Sequence, residues 1–555
     1  MIKMRRKVSS EEGSILLAVL IVIVLLTAGL GTYLNALDSI GRVQEQRVMD
    51  DRALMAAEAG LAKALAHMET LAQLPTENEV WNEDLPAAQF APFQSVTVNV
   101  YVRGANSNKT WTLASTATAA ANASVRGFCR RVQTTLLQEN FAKYEYFVND
   151  FGGVWIPGYF QFEGFNSVFL GPYHSNSGVA FWPNLWMVNE ATTSAPKGVR
   201  YFANFSTYSS IYGKSDANDY ANILQYYSST FPNAPQFYKG LNVLPQPIEM
   251  PVNMSSDPRT QALRDNAGLV LPSGYNGYDP SAGPNFVIEL KEDGGGNSGN
   301  GKVKVRQYLG TNILNGQPKY GPSRNFDIQS INNAIVVYGN IKSLSGTVDG
   351  RLTIGALRDP DVPNSGEVDI TGSIDYASRP EDMSYTDAPG LYTQDGSGIN
   401  QDYVSTLLDQ VNQITDILGI VSEANVVIKE RDLDGNRIAA DVNNPIHIDA
   451  VVMATGASTA DPNDGGYVVE NFLTRPKGAA LTLGGTIQNY GYSWALFSGS
   501  TFTNGILQTR LWDERAYQPG GSPPFFPTTG NLQVLPQSWR SSYVSSVSEV
   551  PVFPL

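Results

Sequence analysis

Residues 15–34 run for 20 positions without a charged side chain, and no other stretch restricts the architecture as strongly. A helix rising about 1.5 Å per residue would carry that run across roughly 30 Å, the thickness of a bilayer's hydrocarbon core. Only alanines and Thr27, Gly29, Gly31, Thr32 and Tyr33 interrupt the aliphatics. Lys3, Arg5, Arg6 and Lys7 precede the run, and a basic flank of this kind stays in the cytoplasm. The expectation is a single-pass inner-membrane protein with everything after Leu34 outside the cytoplasm. A buried helix of a soluble domain is the first alternative, but it would show a polar face. A cleaved secretory signal is the second, but its apolar core is shorter, about 7–15 residues, and no clear A-x-A site follows here.

Charge and cysteine content narrow the function classes. The formal charge is −14, which argues against nucleic-acid binding, since that requires a basic face to neutralise phosphates. Cys129 is the only cysteine, so the chain has neither an internal disulfide nor a cysteine-based zinc site. His67, His174 and His447 lie far apart, none with a second histidine at metal-ligand spacing. No cofactor is expected.

Helical character continues past the apolar run. Residues 38–72 contain no proline and are rich in Ala, Leu, Glu, Gln, Arg and Met, all good helix formers. Leu54, Leu61, Leu65 and Met68 fall on one stripe, and Pro75 ends the segment. Residues 95–102 and 110–115 then alternate with period two, as half-buried strands do, and residues 125–137 read as a third strand.

This plan resembles type IV pilin-like proteins, specifically the PilX-type minor pilin family involved in pilus assembly. Gly13 follows a short basic leader and precedes Ser14-Ile15-Leu16-Leu17, which looks like a prepilin peptidase junction. Ala56-Ala57-Glu58-Ala59-Gly60-Leu61 is similar to the Ala-Glu-Ala-Gly-Leu signature of such helices. The resemblance implies leader processing between Gly13 and Ser14, prepilin peptidase and other pilin-like subunits as partners, and a long helix followed by a small antiparallel sheet. Major pilins carry a glutamate five residues after the junction; here that position is Ala18. Its absence removes a charge that is costly inside a bilayer and favours a tip or initiating subunit. Glu11 and Glu12 depart from the usual leader.

From residue 144 onward, short strand-like runs alternate with Gly, Asn, Asp and Pro, an all-β pattern. One helical pattern interrupts it at 403–422, through Val404, Leu407, Leu408, Val411, Ile414, Ile417 and Leu418. Between 334 and 377, strand-like runs recur at short intervals with glycine at the corners, as in a parallel β-solenoid. Residues 450–454 and 481–487 fit the same stack, and a sandwich remains the alternative. The fold class expected is therefore mainly β with a long N-terminal α-helix. The expected segments are a basic leader 1–13, a transmembrane helix 14–36, a pilin-like helix and sheet 37–140, and an aromatic β-rich region 141–325. A solenoid-like region 326–530 and a C-terminal tail 531–555 follow. Gly171-Pro172-Tyr173-His174-Ser175-Asn176, the 334–377 block, Ile417-Leu418-Gly419-Ile420, Asp513-Glu514-Arg515 and Pro523-Pro524-Phe525-Phe526-Pro527 also resemble a β-rich domain found behind PilX-type N-termini. That resemblance implies a surface setting rather than an activity.

Catalytic signals are weak. Asp349, Asp359, Asp361, Glu367 and Asp369 lie in Gly/Pro/Asn-rich surroundings and read as solvated turn acids rather than a glycosidase pair. His174 has no serine elbow, base or metal partner near it in sequence and reads as a hydrogen-bonded turn residue. His67 on the helix and His447 in a strand carry no role. Asp432, Asp434 and Asn436 resemble the start of a calcium loop, but the later glutamate is missing and Asp434-Gly435 suits a hairpin turn better. Tyr and Phe, with Trp155, Trp182 and Trp186, are dense from 144 to 238. Most of these are expected in the core, with a glycan- or protein-binding face as the functional alternative. The expected function is a non-catalytic minor pilin-like subunit displaying a large β-rich head. The alternatives are a membrane-anchored adhesin-like protein outside any filament and, third, a polysaccharide-active β-helix enzyme.

Overall fold

The structure is a computed structural model. It describes residues 10–70, 79–84, 96–103, 110–119, 129–150, 161–163, 167–177, 179–181, 185–194, 199–204, 207–209, 236–244, 246–251, 253–294, 299–362, 364–380, 383, 400–438, 441–456, 464–491, 494–498, 501–518, 520–534 and 538–544. The protein is mainly β with one long apolar N-terminal helix. It divides into two compact units, Met1–Leu137 with Leu532–Leu555, and Gln138–Asn531.

In the first unit, helix α1 spans Ser10–Thr70, 61 residues and roughly 90 Å. Its C-terminal part packs on an antiparallel meander of β1 (Glu79–Asp84), β2 (Val96–Arg103), β3 (Thr110–Ala119) and β4 (Cys129–Asn140). The expected leucine stripe is not the centre of that contact. Ala53, Ala56, Ala57, Gly60, Leu61, Ala64 and Met68 are buried, while Leu54 and Leu65 are half-buried. Small residues bring the helix backbone close to the sheet, where Trp111, Leu113, Val100 and Leu136 fill the remaining space. Leu54 and Leu65 straddle this seam. The segment expected as a C-terminal tail, 531–555, belongs to this unit from Leu532 on. Its strand Arg540–Tyr543 pairs antiparallel with β4, and the Tyr543 hydroxyl donates to Asp50 Oδ2 on α1 (2.8 Å).

The second unit is built on two large sheets. In the ten-stranded sheet, Leu269–Leu271, Ala334–Tyr338, Arg351–Leu357, Ile417–Ser422, Val451–Ala454 and Thr486–Tyr490 follow one another in parallel. The next neighbour of Thr486–Tyr490 is the unit's first strand, Tyr146–Asp150, followed by Tyr173–Ser175, Ala191–Thr193 and Leu241–Val243, all parallel. The expected boundary near 325 is therefore absent, because strands from both sides of it share one sheet. The twelve-stranded sheet has a parallel run from Asn285–Lys291 through Asn340–Val348, Val368–Tyr376, Ile446–Asp449 and Gly478–Leu483 to Thr501–Leu511. Antiparallel strands flank this run, Lys302–Thr311 with Pro318–Tyr320 and Arg324–Asp327 on one side and Ala495–Ser498 on the other.

From residue 334 onward the chain alternates between these sheets. Ile335, Val337, Leu352, Ile354, Leu418 and Ile420 enter the core shared with the second sheet. Ala334, Val336, Ile417 and Val421 enter another core with Met250, Met254, Leu263 and Phe526. Burial on both faces explains why these strands read as continuous apolar runs instead of alternating. Gly339 marks one crossing between the sheets with φ +145°, and a Cβ there would collide with the Pro284 carbonyl oxygen.

The helical pattern predicted over 403–422 is two elements. The helix is Gln401–Gln413, capped by the Asn400 side chain accepting from Tyr403 N (3.2 Å). Ile417–Ser422 is a strand, because its backbone groups find ladder partners on both sides.

The alanine seam is directly testable. Ala57→Leu overpacks it and should destabilise the first unit by about 1–3 kcal/mol. Glu58→Leu, one position round on the exposed face, should change stability by about 0.5 kcal/mol or less. Chemical denaturation of the full chain in detergent, followed by Trp fluorescence, reads the difference.

Candidate functional site

Among the described residues, the largest exposed apolar surface is the N-terminal half of α1. Large aliphatic side chains from Leu16 to Val48 are exposed all round the helix, and this helix is long and apolar enough to cross a membrane. The polar groups inside the run are satisfied by the helix itself. Thr27 Oγ1 donates to the Ile23 and Val24 carbonyls (2.8 and 2.9 Å), and Thr32 Oγ1 to Gly29 (2.8 Å). Such back-bonding meets the demand that no donor go unpaired in lipid. The first charges after the run, Asp38 and Arg42, form an i,i+4 ion pair (2.9 Å). Gly13 and Ser14 lie within the helix, which begins before them, and Ala18 is on its exposed surface. In the signature segment Ala57, Gly60 and Leu61 face the sheet, Ala59 is half-buried and Glu58 points to solvent.

Several of the separated sequence stretches meet in the second unit. Gly171 N donates to Glu145 Oε2 (2.6 Å), and a Cβ at Gly171 would collide with the Trp512 indole. Next to Trp512, Asp513 is buried and takes a forked pair of bonds from Arg515 Nε and Nη2 (2.8 and 2.6 Å). Arg515 Nη1 continues to the Ile414 carbonyl (2.6 Å). The 523–527 stretch closes over Gly419, where a Cβ would clash with Phe526 and Pro523. These contacts serve packing and backbone satisfaction.

His174 lies in a strand, not a turn, and is fully buried. Burial pulls its pKa down to about 4, so the neutral ring donates from Nε2 to Asn176 Oδ1 (2.8 Å) and accepts the Thr192 hydroxyl at Nδ1 (2.7 Å). Its face stacks on Phe147 (4.9 Å). His67 stacks on Trp81 (4.7 Å).

Two of the five turn acids are not solvated. Asp349 is fully buried, accepting from Gly299 N (2.6 Å), and Asp369 is buried beside Lys342 (3.6 Å) and Lys429 (3.9 Å). Their burial follows from position: each lies at or beside a strand of the second sheet, where its oxygens face backbone donors or lysines. Asp361 is exposed, and Asp359 and Glu367 are half-buried. Asp432 accepts from Asn436 N (2.7 Å) and Nδ2 (2.9 Å), closing the 432–436 turn on itself. Arg431 and Arg437 bridge antiparallel across that turn. Among the described residues no group of three His, Cys, Asp or Glu is placed to hold a metal.

One cluster had no sequence signal. His447 Nδ1 lies 2.7 Å from Asp375 Oδ1 and 2.9 Å from Arg379 Nη2, and Arg379 Nη1 reaches buried Asp449 (3.1 Å). The register Ile374↔Ile448 creates it from residues more than 60 positions apart, so no local motif could reveal it. Each carboxylate is already met by a cation or imidazole. Of the aromatics, Tyr144, Tyr146, Phe147, Phe169, Tyr173 and Trp186 are buried, and Tyr238 is exposed; Trp155 and Trp182 lie outside the described residues. A cavity of about 610 Å³ is lined by Ile248, Glu249, Asp257, Arg259 and Asn531 among others. Its guanidinium is held by Asp257 (2.9 and 2.6 Å) and the Glu249 carbonyl (2.6 Å).

Buried acids make the second unit pH-sensitive. Burial raises the carboxyl pKa of Glu145 to about 7, of Asp369 to about 7 and of Asp449 to about 6. The folded chain then holds protons that the unfolded chain has released, so stability grows as pH falls through about 7 toward 4.5. His174 acts oppositely, losing stability as pH falls from 6.5 to about 4. Three groups outweigh one, so calorimetry should show a higher melting temperature at about pH 5.5 than at about pH 7.5. Glu145→Gln keeps the shape, removes one titration, and should reduce that difference.

Comparison of the chain with protein-family models, with curated proteins and with solved structures finds no match.

Proposed function

We propose that the chain is a non-catalytic, minor pilin-like subunit, anchored by α1 in the inner membrane and assembled through it into a type IV pilus or pseudopilus. The observation that carries this reading is the division of one continuous helix: an apolar half with every side exposed, and a second half seated on an antiparallel sheet through alanines. The bare half suits packing against lipid and then against the helices of other pilin-like subunits. Gly13-Ser14 is the proposed prepilin peptidase junction, and Ala18 in place of a glutamate favours a tip or initiating position. A large head on the extracytoplasmic side fits a subunit that ends a filament instead of extending it. The head has surface-display character, and a glycan or surface protein is its proposed partner.

The head's strands are read as rungs of a parallel β-solenoid rather than layers of a sandwich. Parallel pairing through the whole ten-stranded sheet and the alternation of the chain between two sheets support that reading. So does the side-chain ladder in which Asn489, Asn149 and Asn176 pass amide hydrogen bonds from strand to strand (2.8 and 2.9 Å).

A second reading, a fixed membrane-anchored, adhesin-like protein, draws on the helix running unbroken through Gly13 from Ser10. The mass of the N-terminal peptide from membrane-extracted protein separates the two. The pilin-like reading expects a chain beginning at Ser14 with a methylated amine. An intact leader would overturn it in favour of the fixed anchor.

A further inference from the structure

The antiparallel hairpin of Lys302–Thr311 and Pro318–Tyr320 forms one edge of the twelve-stranded sheet. Its first strand pairs with Asn285–Lys291 only from Lys302 to Gln307. From Tyr308 on it pairs with Pro318–Tyr320 alone, at Tyr308↔Tyr320 and Thr311↔Pro318. The tip is firmly built: Asn312 N donates to the Gln317 carbonyl (2.7 Å) and Gly316 N to the Asn312 carbonyl (2.8 Å). Asn312 Oδ1 accepts from Leu314 N (3.0 Å), and Asn315 Oδ1 from Gln317 N (3.1 Å). On this ordered turn stand Ile313 and Leu314, 99% and 95% exposed. No other described large hydrophobic side chain of Gln138–Asn531 exceeds the 56% of Leu473.

The side chains below the tip are graded. Tyr308 and Tyr320 form a collar with rings 6.3 Å apart, and the Arg306 guanidinium lies 4.0 Å over the Tyr320 ring. Residues 301–324 hold five cations, Lys302, Lys304, Arg306, Lys319 and Arg324, and no acid, in a chain of net charge −14. Lys302 pairs with Asp293, and Lys304 with Glu289. Lys319 is exposed, and Arg324 donates to the Asn276 carbonyl. Burial raises the Tyr320 pKa, Arg306 opposes the rise, and Asp434 and Asp432 add to it.

We propose that this hairpin is a lipid-contacting tip, with Ile313 and Leu314 entering the acyl boundary of an anionic bilayer. Tyr308 and Tyr320 then sit at headgroup level, and Arg306 and Lys319 meet phosphates. Apolar tip, tyrosine belt and cations follow the polarity order of a membrane interface. A protein groove fits less well: two side chains on a narrow turn bury far less than the roughly 1,000 Å² of a specific interface, whereas a bilayer needs no shaped pocket. The membrane is either the one that holds α1 or a second one facing the head, and the lipid chemistry is the same for both.

The test uses the full chain reconstituted in phosphatidylcholine vesicles containing about a third phosphatidylglycerol. Cys129→Ala with Leu314→Cys allows an environment-sensitive fluorophore at the tip. The expected result is a blue shift and several-fold brighter emission, reversed by Ile313→Asp and weakened by Lys319→Glu or high salt. Spin-labelled lipid in the host vesicles quenches the signal if the tip enters the anchoring membrane. Quenching only by spin-labelled lipid in added vesicles identifies a facing membrane. Water-like emission with both vesicle sets, or a shift insensitive to Ile313→Asp, overturns the proposal and leaves a protein groove as the occupant.

Discussion

The parallel ladder between Thr486–Tyr490 and Tyr146–Asp150 makes one body of the head. It joins residues some 340 positions apart, among them Gln488, whose Nε2 donates to the Tyr146 hydroxyl (2.7 Å), and Asn489, which bonds Asn149 (2.8 Å). Without it the ten-stranded sheet would be two sheets, each with an open edge of unpaired backbone groups. Closure over so long a loop adds only logarithmically to the entropic cost, and the Gln488–Tyr146 bond is buried. It also makes neighbours of the strands of that sheet that come first and last in sequence. The other unit is built from two sequence pieces that share a sheet.

Helix α1 changes its outward face along one backbone. Over its apolar half the hydroxyls of Thr27, Thr32 and Ser39 return to carbonyls three or four residues earlier, leaving aliphatics to face outward. Over its second half the contact surface is reduced to alanine and glycine, so close approach replaces side-chain bulk, and the volume is supplied by Trp111 and Leu113 of the sheet. One continuous helix thus carries a bare apolar half and a half seated on a sheet, with side-chain size marking the change.

Buried acids in the head act as structural acceptors. Asp416 takes Gly350 N (2.5 Å) and Ser378 N (2.7 Å), Asp349 takes Gly299 N, and Glu145 takes Gly171 N.

Local signals determined what depends on neighbours in sequence. The charge-free run of residues 15–34, the proline-free continuation, the period-two strands of the first unit and the turn at Asp434-Gly435 were legible because helix, strand and turn each require particular residues at short spacing. The tertiary structure decided what depends on partners. It divided 403–422 into helix and strand, because Ile414 and Ile417 keep helical spacing while the ladder with Arg351–Leu357 supplies better backbone bonds. It drew Asp349 and Asp369 out of water and assembled His447, Asp375, Arg379 and Asp449. It also placed Thr486–Tyr490 beside Tyr146–Asp150. Sequence carries periodicity and conformational preference along the chain, but register between distant strands is set by which pairing buries every apolar face at once, and no local pattern encodes that choice.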